Sequence, residues 1–331
     1  MNLPLKKGLP INLLSACFNN TSATYKFYWF LSILQSVENN KTVISKKELF
    51  ARMISNAWYT INYFHISFGR QDKLQRAIKI IKDSEKFTID ESRKKIFESL
   101  IRTTDKSSLS QLRYFNNQVP HWFLAPWFPK LDKKVIYSES RKFHNKCLYA
   151  LSAEAIEINP VWNDYLFENI RILKDFCFWN LAVFLQEKNP NVPDIPNKLI
   201  KPAKRNNLNK QRVNFWDIVL KELGSVDCIY TGKKLKVGNY AVEHFIPYSF
   251  VSHDLIWNLI PADKYFNSSK GDKLPLLDRY FMPFFILQKS AIEIMVKKFP
   301  KNKLLEDYLD IFPEVDSLKS LPVNFTGDRF K

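Results

Sequence analysis

One stretch decides the reading of this chain: Cys228-Ile-Tyr-Thr-Gly232, then Val242-Glu243-His244-Phe245-Ile246-Pro247, then Trp257-Asn258-Leu259-Ile260-Pro261, and finally Asn267-Ser-Ser-Lys270. The apolar residues around Glu243 read as a short strand, and Pro247, which has no N–H to give a ladder, closes its exit. Neighbouring strand residues face opposite sides, so Glu243 and His244 can serve one site only if the backbone turns at His244. Asn258 follows His244 by fourteen residues and Asn267 by twenty-three. Lys270, one helical turn beyond Asn267, is placed on the same helix face.

The ordered set resembles the HNH, or ββα-metal, nuclease domain, including those of RNA-guided CRISPR nucleases and bacterial toxins. The family pattern is a strand ending in Asp-His, a Pro two or three residues on, a central Asn before an apolar run, and a final Asn or His on a helix followed by Lys. Here it covers about 227–275. The resemblance implies His244 as general base, Glu243 and Asn267 as ligands of one Mg²⁺ or Mn²⁺, Asn258 as the residue that holds the loop orienting His244, and Lys270 as a phosphate contact. Tyr248 is placed at the border of the site.

The chemistry suits these residue types. Phosphodiester hydrolysis needs a water deprotonated near neutral pH, which an imidazole can do. It also needs a hard cation to neutralise charge developing on the phosphate, and such a cation takes oxygen donors. Two features depart from the pattern. Glu243 stands where Asp is usual, one methylene longer, and the zinc-binding C-x-x-C pairs are absent, since Thr231 stands where the second cysteine would be. No zinc is expected, and packing has to replace it.

Working outward, 331 residues suffice for two domains. With 7 Gly and neither G-x-G-x-x-G nor G-x-x-x-x-G-K-[ST], the common nucleotide-binding loops are excluded. Four dispersed cysteines, Cys17, Cys147, Cys177 and Cys228, fit buried free thiols in a reducing compartment. No apolar run has spanning length and none reads as a signal peptide, so a cytoplasmic protein without membrane association is expected.

The fold class expected is α+β: a mostly helical N-terminal domain, then a ββα-metal HNH domain with a helical C-terminal extension. The domain limits are 1–188 for binding or recognition, a basic Pro-rich linker at 189–210, and 211–331 for the nuclease part. Ser45 with Glu48, and Thr88 with Glu91, form capping-box patterns ahead of helical runs. Cys147–Leu151 and Ala155–Ile158 read as a hairpin, and Pro160 opens one long buried helix to Gln186. Helices are also expected over 215–223, ending at Gly224, and over 276–298 and 303–309.

The formal charge of +17 favours a polyanionic partner, DNA first. Residues 225–275 and 276–331 each carry +1, which leaves +15 on residues 1–224. Lys201, Lys204, Arg205, Lys210 and Arg212 are the preferred phosphate-contact surface. Arg113–Lys146 interleaves Trp122, Phe123, Trp127 and Phe128 with cations; anchoring on the core is favoured there over base stacking. His65, His121, His144 and His253 read as structural or surface groups. The resemblance to stand-alone bacterial HNH proteins implies a mobile-element or anti-phage setting. Two other readings stand beside the nuclease: a catalytically inactive HNH fold that binds nucleic acid, and an effector whose N-terminal domain senses a protein partner or a second copy.

Overall fold

In the computed structural model the described residues are 3–200, 207–309, 311 and 321–326. Their contacts divide the chain into two compact units, Met1–Lys201 and Pro202–Lys331.

The first unit is built on helix Tyr25–Glu38, which packs against Lys46–Asn62 and Ile170–Lys188. Its buried run Phe27-Tyr28-Trp29-Phe30-Leu31 faces neighbours on several sides, as a core helix must. Ser45 does cap Lys46–Asn62: its hydroxyl accepts from the Glu48 N–H at 3.1 Å. The second capping pattern is used differently. Helix Arg93–Arg102 starts at Ser92, whose side chain accepts from the Lys95 N–H, and Thr88 lies outside it. The hairpin Tyr149–Leu151/Ala155–Ile158 gains a third strand, Val43–Ser45, pairing Ile44 with Ile156. The single long helix expected after Pro160 is broken at Asn169 into Asn163–Glu168 and Ile170–Lys188. Nor is it wholly buried, since Ile172, Trp179 and Val183 are exposed.

The Pro-rich stretch begins as packed structure. Asn189 exchanges two side-chain hydrogen bonds with the Ser67 backbone, and Ile195 and Leu199 are buried in the first unit's core. Thr60 and Arg93 donate to the carbonyls of Lys198 and Leu199. Prolines here prevent regular structure without preventing burial.

The second unit places the decisive stretch on two strands and a helix. Strand Ala241–His244 pairs antiparallel with Leu259–Ala262, setting Glu243 opposite Ile260 and His244 opposite Leu259. Helix Lys264–Lys270 follows at once, capped by Asp263, which accepts from the N–H groups of Tyr265 and Phe266 at 3.0 Å. Helix Asp217–Leu223 ends at Gly224, whose φ of 73° is left-handed and free of strain only for glycine. A wide π-type turn, Arg212–Trp216, leads into it. Lys303–Tyr308 forms a 3₁₀ helix in place of the expected α-helix. Among the described residues no helix is long and apolar enough to cross a membrane.

The C-terminal extension has a definite task. The side chain of Gln288, on helix Leu277–Lys298, is fully buried and donates to the carbonyls of Ile256, Trp257 and Leu259. Asp307 accepts from the Ile256 N–H at 2.8 Å. Together they fasten the turn that enters the second strand. Phe245 stacks on Phe284 with ring centroids 3.9 Å apart. Cys228 is buried and its Sγ accepts from the Asp263 N–H, while backbone bonds from Cys228 to Lys233 and from Gly232 to Cys228 close the turn before the site. This packing holds the turn at Cys228 without a metal-ligating pair of cysteines.

Candidate active site

His244 is the last residue of its strand, so the chain turns there and Glu243 and His244 open onto one pocket of about 460 Å³. Asp254, Asn267 and Arg212 line the same pocket. The strand alternation that would have separated Glu243 from His244 is thus defeated by the strand's end. Both side chains are largely buried, at 7% and 5% residue exposure.

The His244 Nε2 lies 2.8 Å from Oδ1 of Asp254. The Tyr248 ring meets the imidazole edge-on at 5.7 Å, so it borders the site as a packing wall. Asn258 is fully buried and spans the loop: its Oδ1 accepts from the Ile246 N–H and its Nδ2 donates to the Ile246 carbonyl, each at 2.8 Å. Its own carbonyl accepts from the Phe245 N–H. The two residues after His244 are therefore pinned to the entry of the second strand, and Asn258 acts on the backbone rather than on a ligand.

Lys270 does not face the pocket. Its side chain is 4% exposed, and Nζ donates to Glu243 Oε1 at 2.7 Å and to the His244 carbonyl at 2.8 Å. Three residues along a helix leave Lys270 about 60° round the axis from Asn267, and the packing of the helix on the strand buries Lys270 against Glu243. The expected phosphate contact is replaced by a buried ion pair. Asn267 is half-exposed, lines the pocket, and has no side-chain hydrogen bond to another described residue.

The donor set suits a hard divalent cation. Glu243 and Asn267 bring a carboxylate and an amide oxygen to one pocket from strand and helix, and no thiol is among its lining residues. Asp254 also lines the pocket, with its Oδ1 against His244.

Of the expected phosphate-contact residues, Lys201, Lys204 and Arg205 lie outside the described residues. Lys210 is exposed. Arg212 lies against the site: it donates to the Tyr240 carbonyl at 3.1 Å, its guanidinium is 5.2 Å from the Tyr240 ring, and it lines the pocket. A guanidinium held this way offers its remaining donors to a phosphate. In the first unit, Phe123, Trp127 and Phe128 are core residues and Trp122 is 54% exposed. His253 packs on Trp257 with ring centroids 5.1 Å apart. His121 is buried, and burial together with Lys133 and Lys46 depresses its pKa to about 4.

Residue-type reasoning missed Asp254 and Asp263. Asp263 caps helix Lys264–Lys270 and is paired with Lys233 at 2.8 Å, which holds its carboxyl below the usual range. An Asp just before a helical run is a capping signal that was legible. Asp254 carries no such local signal.

Residues 228–276 match the model of a family described as HNH endonuclease. No match to a curated protein or to a solved structure was found. The C-terminal half thus holds an HNH domain, and the remainder is a mostly helical region.

Proposed function

We propose that this HNH domain is a metal-dependent endonuclease that hydrolyses DNA phosphodiester bonds with His244 as general base. The observation that carries the reading is the convergence of Glu243, His244 and Asn267 on one pocket with the Arg212 guanidinium at its wall. Mg²⁺ or Mn²⁺ bound by Glu243 and Asn267 would supply the positive charge that phosphodiester hydrolysis needs at the scissile phosphate. The His244 imidazole takes the proton of the attacking water as its oxygen bonds to phosphorus, while the P–O bond to the leaving sugar oxygen breaks and that oxygen is protonated from solvent. Arg212 holds a non-bridging phosphate oxygen, and Asn258 keeps the backbone of residues 245–246 from drifting. Lys270 keeps the Glu243 carboxylate in place from below.

The test is conversion of supercoiled plasmid to nicked or linear forms in Mg²⁺, Mn²⁺ or Ni²⁺, abolished by EDTA. Retained DNA binding with no cleavage in any of the three ions would instead favour a non-catalytic DNA-binding protein.

The first 224 residues carry +15 of the +17, so they and the basic segment within them supply most of the grip on DNA. Replacing Lys201, Lys204, Arg205 and Lys210 by Gln is expected to weaken DNA binding and flatten its salt dependence. The slope of log K against log salt should fall by about one for each phosphate that the protein no longer neutralises. Fluorescence-anisotropy titrations at several salt concentrations give that slope directly, and an unchanged slope would move the phosphate-binding surface elsewhere.

A further inference from the structure

We infer that Asp254 is a positioning residue for the general base: it fixes the tautomer and orientation of His244, making a His–Asp dyad. The inference rests on the nuclease reading above and adds a residue to it.

A carboxylate can only accept a hydrogen bond, so the 2.8 Å contact between Asp254 Oδ1 and His244 Nε2 requires the proton to sit on Nε2. The lone pair of the neutral ring is then confined to Nδ1, which becomes the nitrogen able to take a proton from water. Without that carboxylate both tautomers compete, and the ring can turn about its side-chain bonds.

The loop is built to hold Asp254 there. Ser252 adopts a left-handed conformation, φ 62°, which ends the Tyr248–Val251 turn and folds the chain back toward the strand. On one side of the carboxylate, Gln211 Nε2 donates to the Asp254 carbonyl at 3.1 Å. On the other, the Ile256 N–H is bound by Asp307. Asp254 is half-buried, with side-chain exposure of 26%, and the Tyr248 ring closes another edge of the imidazole. Among the described residues no other carboxylate lies within hydrogen-bond distance of the His244 ring. The developing imidazolium would be stabilised by the same contact, as in other histidine bases held by a carboxylate.

The experiment pairs kinetics with a spectroscopic measurement on Asp254→Asn, Asp254→Glu and wild type. Two-bond ¹H–¹⁵N correlation spectra of the full chain at pH 8 report which nitrogen of His244 is protonated, with His244→Gln identifying the signal. Wild type should show protonated Nε2, and Asp254→Asn should show a mixture or the Nδ1-protonated form. The cleavage kcat of Asp254→Asn should fall at least about 10-fold with KM for DNA little changed. Asp254→Glu should recover part of it. In a His244→Ala background, Asp254→Asn should cost nothing further, because the residue acts through the ring.

A wild-type ring protonated on Nδ1 overturns the inference. So does an unaltered ring spectrum in a folded Asp254→Asn, whether or not its activity drops through weaker Mn²⁺ binding. A wild type that shows protonated Nε2 but cuts no DNA leaves the dyad standing and removes the nuclease reading, so the two failures are told apart.

Discussion

Replacing His244 by alanine is expected to lower the rate of DNA cleavage by about 10²–10⁴-fold while leaving the fold and DNA binding intact. The size follows from what a positioned general base contributes. The specificity follows from geometry. His244 ends a strand whose backbone is held by its pairing with Leu259–Ala262 and by Lys270 on the His244 carbonyl, and neither needs the imidazole. Asp254 is deprived of its partner but is partly exposed, so water can solvate it. Glu243 and Asn267 are unaffected in sequence and position, so Mn²⁺ affinity should be retained. Initial rates on supercoiled plasmid, alongside anisotropy-measured affinity and a melting curve, check all three. Cleavage by His244→Ala at the wild-type rate would place the base elsewhere.

The site's partners were legible to different degrees. Glu243, His244, Asn258 and Asn267 could be found because their order and spacing repeat a pattern, and the pocket does gather three of them. The loop-holding role of Asn258 came with the resemblance, and its two side-chain hydrogen bonds to the Ile246 backbone agree with it. Asp254 was not readable. It sits in a polar loop where an acid ordinarily means solvent, and its place beside His244 depends on the folded loop, with its left-handed Ser252 and the Gln211 bond to the Asp254 carbonyl. Helical spacing put Lys270 near Asn267 but could not say which side of the helix lies against the strand. That side is decided by tertiary packing, here by the burial of Lys270 against Glu243.

The same distinction runs through the fold. Long periodic runs such as Lys46–Asn62 declare themselves, because many residues contribute to one signal. Val43–Ser45 has three residues and exists as a strand only because Ala155–Ile158 offers it an edge. Ser92 outcompetes Thr88 as a cap by lying directly before the run it caps. The Pro-rich stretch from Asn189 reads as a tether because its backbone is irregular. Its buried residues, Ile195 and Leu199, are visible in the sequence but give no periodicity to weigh.

Lys270→Met should be the most destabilising single change at the site, costing about 3–5 kcal/mol. Lys270 and Glu243 are 4% and 9% exposed in their side chains and 2.7 Å apart. Removing the ammonium takes from the carboxylate a counter-charge 2.7 Å away in a region water scarcely reaches, and also frees the His244 carbonyl. The cost comes from that lost compensation of a buried charge more than from any large net gain the pair makes in the wild type. The double variant Lys270→Met/Glu243→Leu should therefore recover much of the stability, because neither member of the buried pair is left. Chemical denaturation of the four proteins completes the cycle. The same cycle reaches the metal. If Glu243 is a ligand, Mn²⁺ supplies a replacement counter-charge and should stabilise Lys270→Met by more than it stabilises wild type, with the excess vanishing in the double variant. A Lys270→Met protein within about 1 kcal/mol of wild type would mean that the Glu243 carboxylate does not depend on this lysine for its counter-charge.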